Sequence, residues 1–437
     1  MSSTGVVEGF RVFGNLAALS CDDRTQLLER SASSDSKVRE VTRRIIERVR
    51  SGGDDVLVAL AAELDGVELE SLEVPREQCD AALAGLPATL RRAMLRAAAN
   101  IEAVHRASLP TAVEVTPETG IRIVRRPDPL MRVGIYAPGG RAAYPSSVLM
   151  GAIPARVAGV REVLLCSPPD STGKPASTVL AAAAIAGVNR VFAIGGAGAI
   201  AALAYGTESV PRVDRIVGPG NAYVAEAKLQ VSSVVGIDSP AGPSELLVIA
   251  DETVPPRTIA LEVLAQAEHD PMAVVVVIAL GSETAAAIGQ EIAEGLTSQP
   301  RREIISTALL ERGALLTVDS LDSAIQFAND FAPEHLLLAC AEPASAAARV
   351  RSAGTIFLGA TSSVAYGDYM TGANHVLPTG GAARFYSGLS VLDFMRWTTV
   401  QSIDRLAAAG LAEDVAIFAK AEGLPAHAAA AQTWGKP

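Results

Sequence analysis

Short apolar segments that end in glycine or proline alternate with apolar helical segments through the middle of the chain. The first predicted strands are "RVGIYAPGG", "REVLLCSPP", "RVFAIGG" and "DRIVGPG", within residues 132–220. Alanine-rich and valine-rich stretches with helical character, such as "PASTVLAAAAIAG" and "NAYVAEAKLQV", accompany them. A repeating order of strand, glycine-rich turn and helix is typical of a parallel sheet with right-handed crossovers. The pattern therefore predicts an α/β unit in this region.

A second group of predicted strands follows, and helical patterns flank both groups. These strands are "SELLVIAD", "AVVVVIAL", "GALLTV" and "AGTIFLG". Near the N-terminus, "SKVREVTRRIIERVRSGGDD" has helical spacing and ends at the stop signal Gly52-Gly53, and the pattern after about residue 386 is helical to the end. We predict an α/β fold with two parallel-sheet, incomplete Rossmann-like domains, one inserted in the other, and helical N- and C-terminal segments. The expected units are an N-terminal arm (1–30), an α/β domain with the candidate chemistry (31–135 and 245–385), an inserted α/β domain (136–244) and a C-terminal helical segment (386–437).

Composition and charge narrow the class of protein. A chain of 437 residues is too long for one ordinary core, and 49% hydrophobic with 4% aromatic residues fits a globular α/β protein. A net charge of −11, with no run of lysine and arginine, argues against a nucleic-acid surface. The apolar stretch "MAVVVVIAL" is too short to span a membrane, and the first residues do not have the pattern of a signal peptide. The four cysteines have no CxxC spacing. We expect a soluble, reduced, cytoplasmic protein that binds neither nucleic acid nor membrane.

The segment "FAPEHLLLAC" places an acid and a base side by side, Glu334 and His335, directly before an apolar run. Neighbours on a strand point to opposite faces, and neighbours on a helix lie about 100° apart. One regular element therefore cannot cheaply bury one of these groups and expose the other. Because Pro333 interrupts regular structure, we expect both side chains to reach one ligand at the edge of a cleft.

A dinucleotide-like motif lies in the first group of strands. "GAGAIA", at 196–201, matches G-x-G-x-x-A between a predicted strand and a predicted helix. A lone match is a weak signal, and the next strand, "DRIVGPG", does not end in the acid that an ordinary Rossmann fingerprint carries. A phosphate group can still approach these turns, because α/β sheets bind ligands at the carboxyl ends of their strands.

Three segments of the second half carry nitrogen and oxygen donors that could hold a metal ion. The pairs are Gln266 and His269 on a predicted helix, Asp368 and His375 in a glycine-punctuated loop, and Glu422 and His427 at the start of the last helix. Each pair alone fits a structural role equally well: a helix-capping histidine, an Asx turn, or an acidic complement to a helix dipole. Together they offer imidazole, carboxylate and amide groups that suit zinc. The absence of an H-E-x-x-H helix argues against a metalloprotease.

At these residues the sequence resembles the histidinol dehydrogenase family over nearly its whole length. The segments that carry the resemblance occur in order: "GIYAPGGRAAYPSSVLM", "VGPGN", "AGPSELLVIAD", "LAQAEHD", "FAPEHL", "GDYMTGANHVLPT" and "EGLPAH". The resemblance implies an NAD-dependent, zinc-containing homodimer with shared active sites. It also implies the reaction, the oxidation of L-histidinol through L-histidinal to L-histidine with reduction of two NAD. The inserted domain would contact NAD, and the C-terminal segment would reach the partner subunit.

The resemblance also implies roles for individual residues. The zinc ligands would be Gln266, His269, Asp368 and His427. The proton acceptors would be Glu334 and His335. The substrate contacts would be Ser244, His375 and Glu422, together with His335 and the zinc ligands. The NAD contacts would be Tyr136, Gly198 and Asn221.

One position departs from the family pattern. The family has Gly-Gly-Ala-Gln where this chain has "GGAG", so Gly198 replaces a glutamine whose amide would hydrogen-bond NAD. We therefore expect weaker or rearranged NAD binding and unchanged chemistry. In that chemistry, His335 would take the hydroxyl proton of the alcohol, and Glu334 would activate the water that hydrates the aldehyde.

Three other functions remain open from the residues alone: a dehydrogenase of the same fold for another small alcohol, a zinc hydrolase, and a non-enzymatic scaffold. Retention of the acid–base pair, Glu422 and all four metal positions speaks against another alcohol, because a substrate without amine and imidazole would not need them all. A zinc hydrolase would form no NADH when histidinol and NAD are added. A non-enzymatic scaffold would contain no bound zinc.

Overall fold

The computed structural model describes residues 9–30, 36–139, 143–240 and 242–434. The strands are β1 (Val12–Asn15), β2 (Glu73–Val74), β3 (Val113–Val115), β4 (Ile121–Pro129), β5 (Arg132–Tyr136), β6 (Glu162–Ser167), β7 (Arg190–Ala193), β8 (Arg215–Val217), β9 (Gly236–Ile237), β10 (Glu245–Ala250), β11 (Val274–Leu280), β12 (Ala314–Val318), β13 (His335–Ala339), β14 (Thr355–Leu358) and β15 (Met395–Ile403).

The helices alternate with the strands through most of the chain. They are α1 (Cys21–Leu28), α2 (Ser36–Leu60), α3 (Arg76–Ala84), α4 (Ala88–Ala107), α5 (Pro145–Ala158), α6 (Ser177–Ala186), α7 (Gly196–Tyr205), α8 (Ala222–Val231), α9 (Pro256–Ala267), α10 (Ser282–Leu296), α11 (Arg302–Arg312), α12 (Leu321–Phe331), α13 (Pro343–Ala347), α14 (Val364–Tyr369), α15 (Arg405–Ala421) and α16 (Pro425–Trp434). Among the described residues, no helix is both long enough and apolar enough to cross a membrane.

Two six-stranded sheets form the frame of the molecule. The β10 sheet has the order β1-β12-β11-β10-β13-β14 and is parallel throughout. The β5 sheet has the order β2-β7-β6-β5-β8-β9, and its strands are parallel except for β2. The strands in the middle of both sheets are continuous runs of buried apolar residues, as expected where helices cover both faces. The predicted α/β fold class with parallel sheets is confirmed.

Each sheet changes direction once at its centre. In the β5 sheet the chain moves from β5 outward through β6 and β7 and then returns to the other side of β5 with β8. In the β10 sheet β13 returns in the same way to the side of β10. Such reversals open a crevice between two neighbouring strands, and in α/β proteins these crevices are the usual ligand sites.

The helices of residues 36–107 cover the β5 sheet. α2 packs on α7 and α8, α3 packs on α6, and α4 packs on α5. Leu57 and Ile101 from these helices share one buried cluster with Ile135 and Phe192 of the β5 sheet. This packing differs from the predicted grouping of 31–135 with 245–385. The apolar pattern of a helix shows which face is buried, but it does not show which sheet that face covers.

The two ends of the chain also differ from the expected pattern. Residues 12–15 form β1, which pairs with β12 at the edge of the β10 sheet, so part of the expected N-terminal arm belongs to that sheet. The expectation of an entirely helical C-terminal segment is wrong at Met395–Ile403, which forms β15. β15 pairs with β4, and β3 completes a three-stranded antiparallel sheet. The segment "MRWTTVQSI" is rich in β-branched and aromatic residues, which favour a strand.

Candidate active site

Glu334 and His335 lie at the amino end of the β10 sheet, beside the reversal between β10 and β13. His335 is the first residue of β13, and in the register of the sheet it pairs with Leu246 of β10. Both residues are buried, with 6% and 5% of their surface exposed. The Glu334 Oε2 and His335 Nδ1 atoms are 3.5 Å apart. The structure thus brings the two neighbours together in one place.

An unusual turn allows this arrangement. α12 ends at Phe331, and Ala332 adopts the left-handed conformation with φ 50° and ψ 65°. Among the described residues, Ala332 is the non-glycine residue with a positive φ. This conformation costs an alanine about 1–2 kcal/mol, so the surrounding contacts must hold the turn in place. Pro333 follows, and β13 begins only two residues later.

The backbone of Glu245, the first residue of β10, holds both side chains. Its amide donates a hydrogen bond to Glu334 Oε2 at 2.7 Å, and its carbonyl oxygen lies 3.0 Å from His335 Nδ1. Because a carbonyl oxygen can only accept, Nδ1 of His335 carries a proton. The other ring nitrogen, Nε2, is buried, has no hydrogen-bond partner and lies 3.5 Å from Asp368 Oδ1. The imidazole therefore presents one free nitrogen toward Asp368.

The electrostatics of the cluster follow from burial and from neighbouring charges. Burial raises the pKa of the Glu334 carboxyl, against the opposing charge of His335. Burial acts to lower the pKa of the His335 imidazole, but Glu334 and Asp368 outweigh it and raise the pKa to about 10. Burial acts to raise the pKa of Asp368, but His335, His375 and His269 together lower it. The site is therefore a small set of ionisable groups whose protonation states depend on one another.

Three of the four predicted zinc ligands come from α9, its C-terminal turn and α14. Gln266 lies in the last turn of α9 and is buried, and its amide nitrogen has no hydrogen-bond partner. His269 is exposed and lies beyond the end of the helix at Ala267, although its amide still bonds the Gln266 carbonyl at 3.3 Å. Asp368 is in α14, which is fastened to α9 by a 3.1 Å hydrogen bond from the Val364 amide to Glu262.

The chemistry of these three side chains suits a zinc ion. The amide oxygen of Gln266, the imidazole of His269 and the carboxylate of Asp368 are the kinds of donor that zinc takes. Among the described residues, no three His, Cys, Asp or Glu side chains are close enough to hold a metal ion. His427 therefore does not join His269 and Asp368 within one chain.

Glu422 and His427 are exposed on the C-terminal helical pair. Glu422 follows the last residue of α15, and His427 is in the first turn of α16. The two helices pack on each other, and the buried cluster that they share consists of Ala416, Ala419 and Ala428, separate from the larger cores. Both side chains are thus carried on an element with its own small core.

The remaining predicted substrate contacts lie close to the acid–base pair. Ser244 directly precedes Glu245, and its carbonyl accepts a 3.0 Å hydrogen bond from the Val274 amide. The Nδ1 atom of His375 lies 2.9 Å from the Asp368 carbonyl, and burial lowers the pKa of this imidazole. His375 therefore keeps its second nitrogen available beside the candidate metal ligand.

Two of the predicted NAD contacts lie at the carboxyl edge of the β5 sheet. The Tyr136 hydroxyl is buried and accepts a 3.1 Å hydrogen bond from the Gly196 amide, the first residue of α7. Asn221 caps α8, because its side-chain oxygen accepts from the amides of Tyr223 and Val224. These positions flank the crevice where the strand order reverses between β5 and β8.

Gly198, the third predicted NAD contact, lies inside α7 and is buried against α2. A Cβ atom at this position would lie 3.2 Å from Leu60 Cδ1 and 3.5 Å from Leu57 Cδ2. A side chain here would therefore begin in the contact between two helices. A cavity of about 760 Å³ opens at the same edge of the β5 sheet, between the loops after β5 and β6 and the turn after α2. Its volume is within the usual range for small-molecule sites, and the three predicted NAD contacts are not among its lining residues.

Sequence reasoning missed Glu245 and its ion-pair partner Arg30. The Glu245 side chain is 2% exposed and pairs with Arg30, whose side chain is 4% exposed. A charged residue at the start of a continuous apolar strand, as in "SELLVIAD", is a signal of an internal partner, because buried carboxylates are seldom left unpaired. The partner itself is 215 positions away and could not be identified from the pattern.

Comparisons with known proteins agree in pointing to one family. Residues 28–434 match the family model for histidinol dehydrogenase. The chain is 48% identical over 415 residues to a histidinol dehydrogenase of Halobacterium salinarum, with 95% of this chain and 97% of the relative covered. It is 44% identical over 425 residues to a histidinol dehydrogenase of Methanosarcina barkeri, with 97% of both covered.

A solved structure gives the same result. The crystal structure of a histidinol dehydrogenase from Elizabethkingia anophelis superposes with a TM-score of 0.92 at 33% identity and covers 98% of each chain. The match includes both six-stranded sheets, the three-stranded sheet and the C-terminal helices, since nearly the whole chain is covered. With the fold, the acid–base pair and these likenesses taken together, the chain belongs to the histidinol dehydrogenase family of NAD-dependent oxidoreductases.

Proposed function

We propose that this chain oxidises L-histidinol through L-histidinal to L-histidine, with Glu334 and His335 as its proton acceptors. The observation that carries the proposal is the arrangement at residue 245, whose backbone amide and carbonyl orient Glu334 and His335, with His335 Nε2 3.5 Å from Asp368 Oδ1. A dehydrogenase that oxidises one carbon twice needs a base for the alcohol and a base for water. The two buried neighbours supply one base each.

The first oxidation is assigned to His335. In the neutral form of the His335 imidazole, Nε2 takes the hydroxyl proton while Nδ1 keeps its proton on the Glu245 carbonyl. Tyr136, Gly198 and Asn221 would hold NAD, which would supply the hydride acceptor, so that the alcohol loses one hydride and one proton and becomes the aldehyde. Gln266, His269, Asp368 and His427 would hold zinc, which would supply a Lewis acid for the substrate's nitrogen atoms.

The second oxidation is assigned to Glu334. Its carboxylate takes a proton from the water that adds to the aldehyde, and the resulting gem-diol gives up a second hydride and proton to form the acid. Oε2 of Glu334 already accepts from the Glu245 amide, which fixes the carboxylate and leaves Oε1 for the water. Burial raises the pKa of this carboxyl above its ordinary value, which makes the carboxylate a stronger base.

Substrate orientation is assigned to Ser244, His375 and Glu422. Ser244 directly precedes Glu245, and His375 Nδ1 lies 2.9 Å from the Asp368 carbonyl. Glu422 and His427 are exposed in one chain, so we propose that they complete the site of a second copy in a homodimer. Large apolar side chains exposed on the same part of the molecule support this assembly: Trp397, Leu406, Ile417, Phe418 and Trp434.

The cofactor is proposed to bind at the carboxyl edge of the β5 sheet, where Tyr136, Gly198 and Asn221 would contact it. The strand reversal beside Tyr136 and Asn221 supports this location. We also propose that the protein works in the cytoplasm, since all four cysteines are unpaired and three of them are buried.

The experiment is to add L-histidinol and NAD to the purified protein and follow NADH, before and after removal of zinc with a chelator. The proposal predicts two NADH per histidinol, loss of activity with the metal and recovery when zinc returns. A protein that binds zinc but forms no NADH from histidinol would contradict the proposed substrate.

A further inference from the structure

The side chains of Arg30 and Glu245 form a buried ion pair, and the backbone of Glu245 contacts both Glu334 and His335. Arg30 Nε donates to Glu245 Oε1 at 2.8 Å, and Arg30 Nη2 donates to Oε2 at 3.1 Å. The two side chains are 4% and 2% exposed. A planar guanidinium that engages both oxygens of a carboxylate fixes direction as well as distance.

The arginine also holds the turn that leads to Glu334. Arg30 Nη2 donates to the Phe331 carbonyl at 2.8 Å, and the guanidinium carbon lies 3.3 Å from the centre of the Phe331 ring. Arg30 Nη1 donates to the Leu27 carbonyl at 2.9 Å, which ties the turn to the end of α1. Phe331 directly precedes Ala332, whose left-handed backbone needs support from its surroundings.

The glutamate holds the other side of the site. Glu245 Oε1 accepts a 2.9 Å hydrogen bond from the Gly380 amide, in the loop that follows His375. The backbone of the same residue donates to Glu334 and accepts from His335. One residue thus joins a buried ion pair on its side chain to both proton acceptors on its backbone.

We propose that the Arg30–Glu245 pair is a positioning device that sets the alignment of Glu334 and His335. The inference rests on the proposed roles of those two residues. An apolar pair of the same volume would hold these segments together about as firmly, because buried ion pairs seldom exceed hydrophobic packing in net stability. Such a pair would lack the directed hydrogen bonds that fix residues 245 and 331, and a displacement of about 1 Å at a reacting group can cost about 100-fold in rate.

The test replaces both members, Arg30→Met together with Glu245→Met, so that no buried charge is left without a partner. We expect this variant to fold and bind zinc, with kcat for histidinol reduced by about 10- to 100-fold. The KM for NAD should stay within about two-fold, because the proposed cofactor contacts lie on the β5 sheet. Arg30→Lys keeps the charge without the planar fork and should recover part of kcat.

The chain offers a matched control on the same helix. Arg24 pairs with Asp330 at 3.3 Å and lies 6.0 Å from the Phe327 ring, but its side chain is 42% exposed and is not linked to the acid–base pair. Arg24→Met should therefore keep the kcat of the unchanged protein.

Melting temperature, zinc content and kcat per folded chain decide the outcome. A folded double variant with unchanged kcat overturns the proposal, and so does a loss of kcat that disappears after correction for the folded fraction. If the double variant does not fold, Arg30→Lys decides in the same way: a lowered kcat at an unchanged melting temperature supports positioning, and an unchanged kcat overturns it.

Glu334→Gln and His335→Asn are assayed alongside, and if both keep full activity the proposed catalytic roles fail, whatever the Arg30 variants show.

Discussion

At the residue scale, Glu245 makes the site possible, because its backbone amide and carbonyl orient a carboxylate and an imidazole that are adjacent in sequence. Adjacent residues of a strand would face opposite sides of the sheet. Here the strand begins only at His335, and the left-handed Ala332 with Pro333 sets the approach of Glu334. The local break in regular structure therefore lets two neighbouring side chains act at one place.

A second consequence at the residue scale concerns Gly198. Gly198→Gln restores the amide of the family pattern, and the helical backbone there accepts a side chain because its φ is not positive. We expect the KM for NAD to fall by roughly two- to ten-fold, since one neutral hydrogen bond contributes about 0.5–1.5 kcal/mol. The KM for histidinol should barely change.

The control for this variant is its thermal melt, because the new Cβ atom would lie 3.2 Å from Leu60 Cδ1. Gly198→Ala places the same Cβ atom without the amide and should leave the KM for NAD unaltered. A stable Gly198→Gln protein with unchanged NAD dependence would show that this position does not govern cofactor affinity.

At the scale of elements, the sequence predicted those strands whose apolar residues form an unbroken run. The segments "RVGIYAPGG", "REVLLCSPP" and "AVVVVIAL" all became buried central strands, because a parallel strand covered on both faces leaves a continuous apolar signal. β15 was missed because its residues are mostly exposed in the single chain and alternate less clearly.

Contacts between distant segments were beyond what the pattern could give. Gln266 and Asp368 are metal ligands proposed by resemblance, but the link between their helices is a hydrogen bond from Val364 to Glu262 that no spacing reveals. The ion pair of Arg30 with Glu245 was missed for the same reason. Residue types and short spacings predicted the chemistry, whereas the orientation of each group depended on tertiary contacts.

The kink in α2 gives a prediction at this scale. Gly52-Gly53 was expected to end the helix, and the non-helical backbone at Gly53, with φ 54° and ψ −136°, divides α2 into two helical parts. A side chain at Gly53 would also collide with the carboxylate of Glu208, which accepts a 3.0 Å hydrogen bond from the Asp54 amide. Gly53→Ala should therefore destabilise the protein by about 1–3 kcal/mol.

The matched control is Gly66→Ala, measured with the first variant by chemical denaturation. Gly66 also has a positive φ, 70°, but a Cβ atom there would meet nothing within 4 Å. We expect Gly66→Ala to cost less, because only the backbone conformation is unfavourable. Equal losses at the two positions would mean that the contact with Glu208 does not contribute.

At the scale of the whole molecule, the proposed cofactor edge belongs to the β5 sheet, whereas the acid–base pair belongs to the β10 sheet. The amino end of β13, next to that of β10, carries the proposed proton acceptors, and the carboxyl ends of β5 and β8 lead to two of the proposed NAD contacts, Tyr136 and Asn221. The chain passes from the β5 sheet to the β10 sheet within a few residues, between β9 and β10. The exposed C-terminal helices carry Glu422 and His427, so in the proposed homodimer a single chain lacks a complete site.

Mixing two inactive variants tests whether the sites are shared. His269→Ala and His427→Ala each damage every site of a homodimer, but a mixed dimer has one site with both histidines intact. Random re-assembly makes about half of the dimers mixed, and each has one working site of two, so about one quarter of the activity should return. No recovery after verified formation of mixed dimers would show that each site is built within one chain.

The measurement that tests the central claim most directly is the rate of each oxidation in Glu334→Gln and His335→Asn, with histidinol and with supplied histidinal. His335→Asn should lose about 10²–10⁴-fold on histidinol, the usual size of a general-base contribution. Glu334→Gln should retain the oxidation of histidinol better than that of histidinal, so that histidinal accumulates and NADH per histidinol falls from two toward one. Equal losses on both substrates in both variants would contradict the assignment of one base to each oxidation.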